Sequence, residues 1–245
     1  PETAFSTDLN APFILPKMRD GIRLGHSEVK DHMFLDGLED AYEKGSLMGR
    51  FAEDCAERYQ FTREAQDEYA LASLANALAA EKNGAFKNEI ASFEVTSRND
   101  KVLISQDEQP FRARPEKIPQ LKPAFRKYGT VTPANSSSIS DGAAALILSS
   151  KEYAIKKGLS VRATIIGHAS HAHEPNWFAT APIPAVIKLL DRIDWCKEDV
   201  ELWEVNEAFA VVPMAFIHDM DIPRDRVNIH GGACALGHPI GASGA

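Results

Sequence analysis

The sequence predicts an α/β protein in which helices cover a mixed or parallel sheet, with a smaller inserted α+β subdomain. From residue 150 onward, helical and strand patterns alternate along the chain. The predicted helices are 150–158, 182–193 and 207–219, and the predicted strands are 161–168, 200–205 and 227–229. This alternation favours a sheet covered by helices. Before residue 150 helices and one hairpin follow each other without regular alternation, which is the basis for the inserted subdomain.

The first half of the chain carries its own helix and hairpin patterns. Apolar residues recur at helical spacing over 31–42, 48–60 and 62–83. Thr62 is a typical N-cap for the third helix, and Asn83-Gly84 is a typical stop. Alternating residues at 89–96 and 102–104 predict a hairpin, residues 105–120 a polar loop, and the apolar run 143–149 a short buried strand.

Composition narrows the classes of function. The 245 residues include 27 basic and 35 acidic side chains, which gives a net charge of −8, and there is no basic cluster. We therefore expect neither nucleic acid nor a membrane as a partner. The three cysteines form no CxxC pair, which favours a reducing compartment, and we expect a cytoplasmic protein.

The last sixteen residues, from His230 to Ala245, contain five glycines and the dipeptide His238-Pro239. Glycine lets the backbone approach a ligand closely, and Pro239 biases His238 away from the helical region. A histidine held in this way can act as a general base or donate a hydrogen bond to an oxyanion. On the glycines alone, the alternative is a tight turn that merely exposes His238.

Two further stretches precede this one in the chain, Gly129 to Ala144 and the run Asn206-Glu-Ala-Phe-Ala210. Together and in this order, the three stretches resemble the thiolase family of acyl-CoA acyltransferases along essentially the whole chain. The resemblance is to an internal portion of a thiolase. It implies mixed five-stranded sheets covered by helices. Residues 1–149 would be the end of the N-terminal domain, with the loop subdomain at about 12–130, and residues 150–245 the first part of the C-terminal domain.

The resemblance also implies the site residues. Asn206 would hold a water that forms, with His238, an oxyanion hole for the thioester carbonyl; a plain N-cap is the alternative for Asn206. Met48, Phe125 and Phe209 match positions that line the pantetheine channel, and Ser137 matches a serine that contacts pantetheine. The sequence departs from the family at Pro133-Ala134, at Ser136-Ser137-Ser138 and at Leu47, where several short-chain thiolases carry histidine.

Two clusters of basic or histidine residues also bear on function. The resemblance places Arg112, Arg114 and Lys117 in the loop that meets the CoA nucleotide, where guanidinium–phosphate pairs would suit them; a solvated surface loop is the alternative. The segment from His168 to His173 carries three histidines, but their spacing does not match a metal site, and we expect no metal. No cofactor is expected, since the CoA thioester is the substrate.

The function implied is an acyl-CoA C-acyltransferase of the acetyl-CoA C-acetyltransferase type in fatty acid metabolism. It would form or cleave 3-ketoacyl-CoA through an acyl-cysteine, with acyl-CoA and CoA as partners and a homodimer or homotetramer as the assembly. By the same resemblance, the motifs of both catalytic cysteines would lie outside the 245 residues, so the chain alone is expected to be inactive. Three alternatives stay open: a long-chain 3-ketoacyl-CoA thiolase of β-oxidation, a non-catalytic thiolase-like protein that binds CoA or lipid, and a ketosynthase.

Overall fold

The computed structural model describes residues 13–14, 28–97 and 100–245. Seven α-helices lie in these ranges: α1 (Met48–Tyr59), α2 (Arg63–Asn83), α3 (Gln109–Arg112), α4 (Lys151–Lys157), α5 (Pro182–Ile193), α6 (Val211–Met220) and α7 (Ala233–Leu236). Four strands are β1 (Phe13–Ile14), β2 (Lys30–Asp31), β3 (Phe93–Ser97) and β4 (Asp100–Ile104). Short 3₁₀ helices at Pro115–Gln120, Pro175–Thr180, Lys197–Asp199 and Arg224–Arg226 join the larger elements. No helix in the described ranges is both long and apolar enough to cross a membrane.

The longest helix, α2, begins and ends where its capping residues require. The Thr62 hydroxyl accepts a hydrogen bond from the Ala65 N–H at 3.1 Å, which satisfies one of the free donors of the first turn. Gly84 adopts a left-handed conformation, and its N–H bonds to the carbonyls of Ala80 and Glu81. Ser150 and Gly158 cap α4 in the same way. The predicted helices at 48–60, 62–83, 150–158 and 182–193 are confirmed to within one or two residues at each end.

One apolar core holds α1, α5 and α6 together around the segment that contains Trp203 and Val205. Its members include Cys55, Val131, Val211, Phe216 and Val227, each no more than 1% exposed. Burying a side chain of the size of Phe216 contributes about 1.5–3 kcal/mol. This core fixes the start of α6 and the residues just before it, which carry the site described below.

The helix predicted at 207–219 begins four residues later than the sequence pattern suggested. α6 starts at Val211, so Pro213 lies in its first turn. The N–H groups of that turn have no partner within the helix, and a proline there removes no hydrogen bond. Pro213 therefore gives α6 no cause to bend.

The hairpin prediction is confirmed, with different strand bounds. β3 and β4 pair antiparallel, with Phe93 opposite Ile104 and Ser97 opposite Asp100. β3 starts and ends later than the predicted 89–96, whereas β4 starts earlier than the predicted 102–104 and ends at the same residue. Residues 98 and 99, which connect the two strands, lie outside the described ranges. β1 and β2 form a second antiparallel pair. The predicted polar loop at 105–120 contains α3 and a 3₁₀ helix, and the helix predicted at 31–42 is a π-helix at Phe34–Leu38.

The predicted five-stranded sheets are not assembled within the described residues, where each of the two sheets has two strands. The apolar runs 143–149 and 161–168 lie in segments without ladder hydrogen bonds, and Ile147 is 96% exposed. Of the expected strands at 200–205 and 227–229, a single parallel pair forms, Trp203 with Val227. A strand needs a neighbour for its N–H and C=O groups, and the described residues offer none beside these runs. The domain boundary near residue 150 stays a prediction.

Candidate active site

Asn206 lies at the end of the extended segment that follows the 3₁₀ helix 197–199. The side chain of Asn228 holds this segment in place: its Oδ1 accepts from the Val205 N–H and its Nδ2 donates to the Val205 carbonyl, each at 2.7 Å. Asn206 is not the N-cap of α6, because that position is Ala210. Its exposed amide is therefore free of the capping role that the sequence left open.

His238 follows α7 in the glycine-rich stretch and reaches the same place. Its backbone N–H donates to the Ser138 carbonyl at 3.1 Å. Its Nε2 lies 3.2 Å from the Nδ2 of Asn206. The structure thus brings together two side chains that are 32 residues apart, as a shared oxyanion site requires. Their catalytic roles stay a prediction.

Ser243 decides which ring nitrogen of His238 carries the proton. The Ser243 hydroxyl donates to the Pro239 carbonyl at 3.1 Å, so it accepts from the Nδ1–H of His238 at 2.7 Å. This assignment leaves a lone pair on Nε2, which accepts from the Asn206 amide. A neutral imidazole whose Nε2 carries no proton is the form that can take a proton from a thiol.

Burial lowers the pKa of His238 below its ordinary value of 6.5, because the partly apolar surroundings disfavour the imidazolium. The neutral, base-competent form therefore persists to more acidic pH. If His238 is the base, the acidic limb of kcat/KM should lie below pH 6.5. A pH–rate profile measures this, and an acidic limb at or above that pH would contradict the assignment.

Three apolar residues that the resemblance assigned to a channel do meet. The rings of Phe125 and Phe209 pack edge to face with centroids 5.9 Å apart, and Met48 packs against the same core. Ser137 lies beside them, since its N–H donates to the Ala208 carbonyl at 2.9 Å. Phe209 is 8% exposed, so it is a core residue as well as a wall of this corner.

A cavity of about 410 Å³ borders Pro133 and Ala134. Its lining combines three basic residues with apolar ones: Arg112, Arg114, Lys117, Ala70, Leu74, Gln109, Ala113, Ile118, Leu121, Pro133, Ala134, Cys234 and Ala235. Arg112 already pairs with Glu108 at 2.5 Å, and its side chain remains 72% exposed. Such a cavity suits a ligand that carries both phosphates and an apolar arm.

Gln109 and Ser138, which the sequence analysis did not identify as site residues, connect this cavity to His238. The Ser138 hydroxyl donates to the Gln109 side chain at 2.6 Å and lies 2.8 Å from the Ser140 hydroxyl. Ser138 also receives the His238 N–H through its carbonyl. Hydroxyl-rich runs such as Ser136 to Ser138 give no sequence signal for these particular contacts.

None of the three cysteines of the chain is an activated nucleophile. Burial raises the pKa of the Cys55 thiol to about 12. A hydrogen bond to Asp199 raises the pKa of Cys196. Burial, together with the nearby Glu207 carboxylate, raises the pKa of Cys234 well above its ordinary range, and the Cys234 thiol donates to the Glu207 carbonyl at 3.7 Å. A reactive thiolate needs the opposite environment, with a lowered pKa.

The histidine-rich segment makes other contacts. Lys188 donates to Nδ1 of His171 at 2.8 Å, and Nε2 of His173 lies 2.6 Å from the Trp177 carbonyl. No group of three or more His, Cys, Asp or Glu side chains in the described part of the chain is arranged to hold a metal ion.

Comparison with known proteins matches the two halves of the chain to two family models. Residues 9–152 match the family model for the thiolase N-terminal domain, and residues 159–245 match that for the thiolase C-terminal domain. A probable acetyl-CoA acetyltransferase of Dictyostelium discoideum is 45% identical over 98% of this chain and 58% of its own length. An acetyl-CoA acetyltransferase of Pseudomonas aeruginosa is 44% identical over 96% of this chain and 60% of its own length.

Solved structures agree with the sequence matches. The crystal structure of the Bacillus anthracis acetyl-CoA acetyltransferase superposes with a TM-score of 0.89 at 41% identity, over 96% of this chain and 59% of that one. A thiolase of Ascaris suum in complex with coenzyme A gives a TM-score of 0.88 at 42% identity, over 98% of this chain and 61% of that one.

The fold and the match to both domain models define an α/β protein with the thiolase architecture, so the predicted fold class is confirmed. The chain belongs to the thiolase family. It spans about 60% of the length of the curated relatives that it matches.

Proposed function

We propose that this chain is part of an acyl-CoA C-acyltransferase of the acetyl-CoA C-acetyltransferase type. The observation that carries the proposal is the 3.2 Å contact between Asn206 and His238. A cavity lined with basic residues is linked to it through Gln109 and Ser138. A protein that only binds CoA or lipid needs neither an oriented imidazole nor an amide aimed at its Nε2. Family membership and the names of the relatives support the same reaction class.

The proposed reaction proceeds in two half-reactions through an acyl-cysteine. A cysteine thiol transfers its proton to Nε2 of His238, and the resulting thiolate attacks the 3-keto carbon of acetoacetyl-CoA. The C2–C3 bond breaks, the acetyl group stays on the cysteine, and the carbanion of acetyl-CoA takes a proton from a second acid. The thiol of free CoA then attacks the acyl-cysteine, which releases a second acetyl-CoA and regenerates the thiol.

His238 and Asn206 would stabilise the negative charge that develops on the carbonyl oxygen. Once Nε2 carries a proton it can donate to that oxygen, and the Asn206 amide, through a water, supplies the second donor. Donors fixed in a site that excludes bulk water lower the barrier because they need no reorganisation during the reaction.

The nucleophile and the second acid are proposed to come from residues outside the 245. Every cysteine of this chain has a raised pKa, and the Cys234 thiol is directed to the Glu207 carbonyl. The relatives are longer than this chain, since it covers 58–60% of the first two. Segments of that additional length would carry both catalytic cysteines.

The CoA substrate would use both surfaces described above. The nucleotide phosphates would lie near Arg112, Arg114 and Lys117, whose charges face the 410 Å³ cavity. Pantetheine would pass Ser137 and the corner formed by Phe125, Phe209 and Met48 to reach His238. We further propose that the protein is cytoplasmic and forms a homodimer or homotetramer. Sedimentation of the purified protein would test the oligomeric state.

Thiolysis of acetoacetyl-CoA tests the proposal. The protein to assay is this chain extended at both ends by its own flanking gene sequence to the length of its relatives, called here the extended polypeptide. It should consume acetoacetyl-CoA only when CoA is added, with parallel lines in double-reciprocal plots as a ping-pong reaction requires. A 3-ketoacyl-CoA of long chain, compared at equal concentration, should be the poorer substrate. Tight CoA binding without turnover would favour the non-catalytic alternative.

A further inference from the structure

A buried carboxylate lies directly behind the Asn206–His238 pair. Glu207 follows Asn206 in the chain and is 0% exposed. Its Oε1 accepts from the Tyr69 hydroxyl at 3.0 Å and from the Asn228 amide at 2.8 Å. Its Oε2 accepts from the Ser73 hydroxyl at 2.7 Å and from the Cys234 N–H at 3.1 Å. Four donors from separate parts of the chain thus converge on one side chain.

These donors come from the elements that place Asn206 and His238. Tyr69 and Ser73 lie on α2, which packs against α7. Asn228 is the residue that fixes Val205, one position before Asn206. Cys234 lies on α7, four residues before His238. The carboxylate is therefore the common anchor of the two segments that carry the catalytic pair.

The turn between Asn228 and α7 is built to admit this carboxylate. A Cβ on Gly232 would lie 2.6 Å from both carboxylate oxygens of Glu207, so the backbone can approach only as glycine. The Gly232 N–H donates to the Ser73 hydroxyl at 3.0 Å, which in turn donates to Glu207. Gly231 has φ +81°, and a Cβ there would lie 2.7 Å from the Ser73 carbonyl oxygen. Gly231 and Gly232 thus allow the backbone to pack closely against α2 and Glu207.

We infer that Glu207 is a positioning residue that sets the separation between Asn206 and His238. It touches neither substrate nor the reacting atoms, and it acts through the two segments that it joins. The inference rests on the proposed function for its kinetic consequence, but its geometric consequence is independent of that function.

A glutamine at this position keeps the size of the side chain but cannot accept all four of these hydrogen bonds. Its NH₂ group would replace one of the two oxygens and so face either the Cys234 N–H, which cannot accept, or the Asn228 amide. The Asn228 amide could accept only by flipping, which would break its two hydrogen bonds to Val205. One segment must then move away from the anchor. A shift of about 1 Å at a catalytic group can lower a rate by about 10²-fold.

Glu207→Gln in the extended polypeptide should lower kcat for thiolysis by about 10–100-fold while KM for acetoacetyl-CoA changes little. A crystal structure of the variant should show the Asn206–His238 separation increased from 3.2 Å. Glu53→Gln is the matched control: Glu53 is 3% exposed and holds the N–H groups of Thr130 and Val131, with no contact to the catalytic segments. Glu53→Gln should lower the thermal stability of the protein but leave kcat for thiolysis unchanged.

If Glu207→Gln does not fold, Ser73→Ala serves as a second variant, because it removes the hydroxyl that donates to Glu207 and accepts from the Gly232 N–H. An unchanged kcat and an unchanged separation in a folded variant would overturn the inference, and so would an equal loss of kcat in Glu53→Gln. Should the unmodified extended polypeptide lack thiolysis, the proposed function fails, and the separation measured in the crystal decides the role of Glu207 by itself.

Discussion

Replacing His238 with alanine should lower thiolysis of acetoacetyl-CoA by the extended polypeptide by about 10²–10⁴-fold, the range that a general base contributes. The loss should appear in kcat and in kcat/KM alike, because the imidazole acts on the nucleophile and on the developing oxyanion rather than on bound CoA. Steady-state kinetics over a range of both substrates would measure it.

His218→Ala is the control for this experiment. His218 is an exposed histidine that contacts Asp219 and lies outside the site, with 67% of its side chain exposed. Its replacement should leave thiolysis unchanged. Asn206→Ala should lower kcat for thiolysis by about 10²–10³-fold, as the loss of one oxyanion donor does. A His238→Ala variant with near-normal kcat would show that another group is the base.

The 245-residue chain by itself should show no thiolysis of acetoacetyl-CoA and weak binding of CoA. An oxyanion site acts only on a thioester that a nucleophile attacks, and each thiol of this chain has a raised pKa. The assay compares this chain with the extended polypeptide at equal concentration under reducing conditions. The extended polypeptide should be active.

Cys234 is the residue through which this expectation could fail, since it lines the cavity and lies four residues before His238. Clear turnover by the 245-residue chain that disappears in Cys234→Ala would show that the nucleophile lies within the chain.

The helices were predictable from the sequence because their signals are local. Thr62 and Gly84 cap α2 through contacts within a few residues, and the same holds for Ser150 and Gly158 around α4. The start of α6 was not predictable, because the backbone before it bonds to a distant segment: the Ala210 N–H donates to the Asn135 carbonyl at 2.9 Å. A pairing of that kind leaves no periodicity in the sequence.

The strands of the sheets are predicted from apolar runs. Such a run indicates that a segment needs to be buried, but it does not identify the strand that pairs with it. Leu146, Ile147 and Ile166 are each more than half exposed among the described residues. A run that is apolar on both faces is typical of a central strand of a parallel sheet. The sequence shows that these segments need neighbours, and pairing within the described residues does not supply them.

The proposed catalytic pair could be anticipated only through the resemblance, since Asn206 and His238 have no local relation. Glu207 stands inside the same motif, yet an acidic residue beside a predicted helix start suggests a charge near the helix dipole. Its true surroundings, with Tyr69, Ser73 and Asn228, depend on contacts 21 to 138 residues away. Ser243 was likewise hidden, since its contact with the imidazole depends on the turn after Pro239.

The most direct test of the account is to locate the acyl group on the enzyme. The extended polypeptide would be incubated with acetyl-CoA, quenched in acid, digested and analysed by mass spectrometry of its peptides. The account predicts one acetylated cysteine that lies outside the 245 residues and is absent in the deacylated enzyme after addition of CoA. An acetyl group on Cys55, Cys196 or Cys234, or no acetylated cysteine at all, would contradict it.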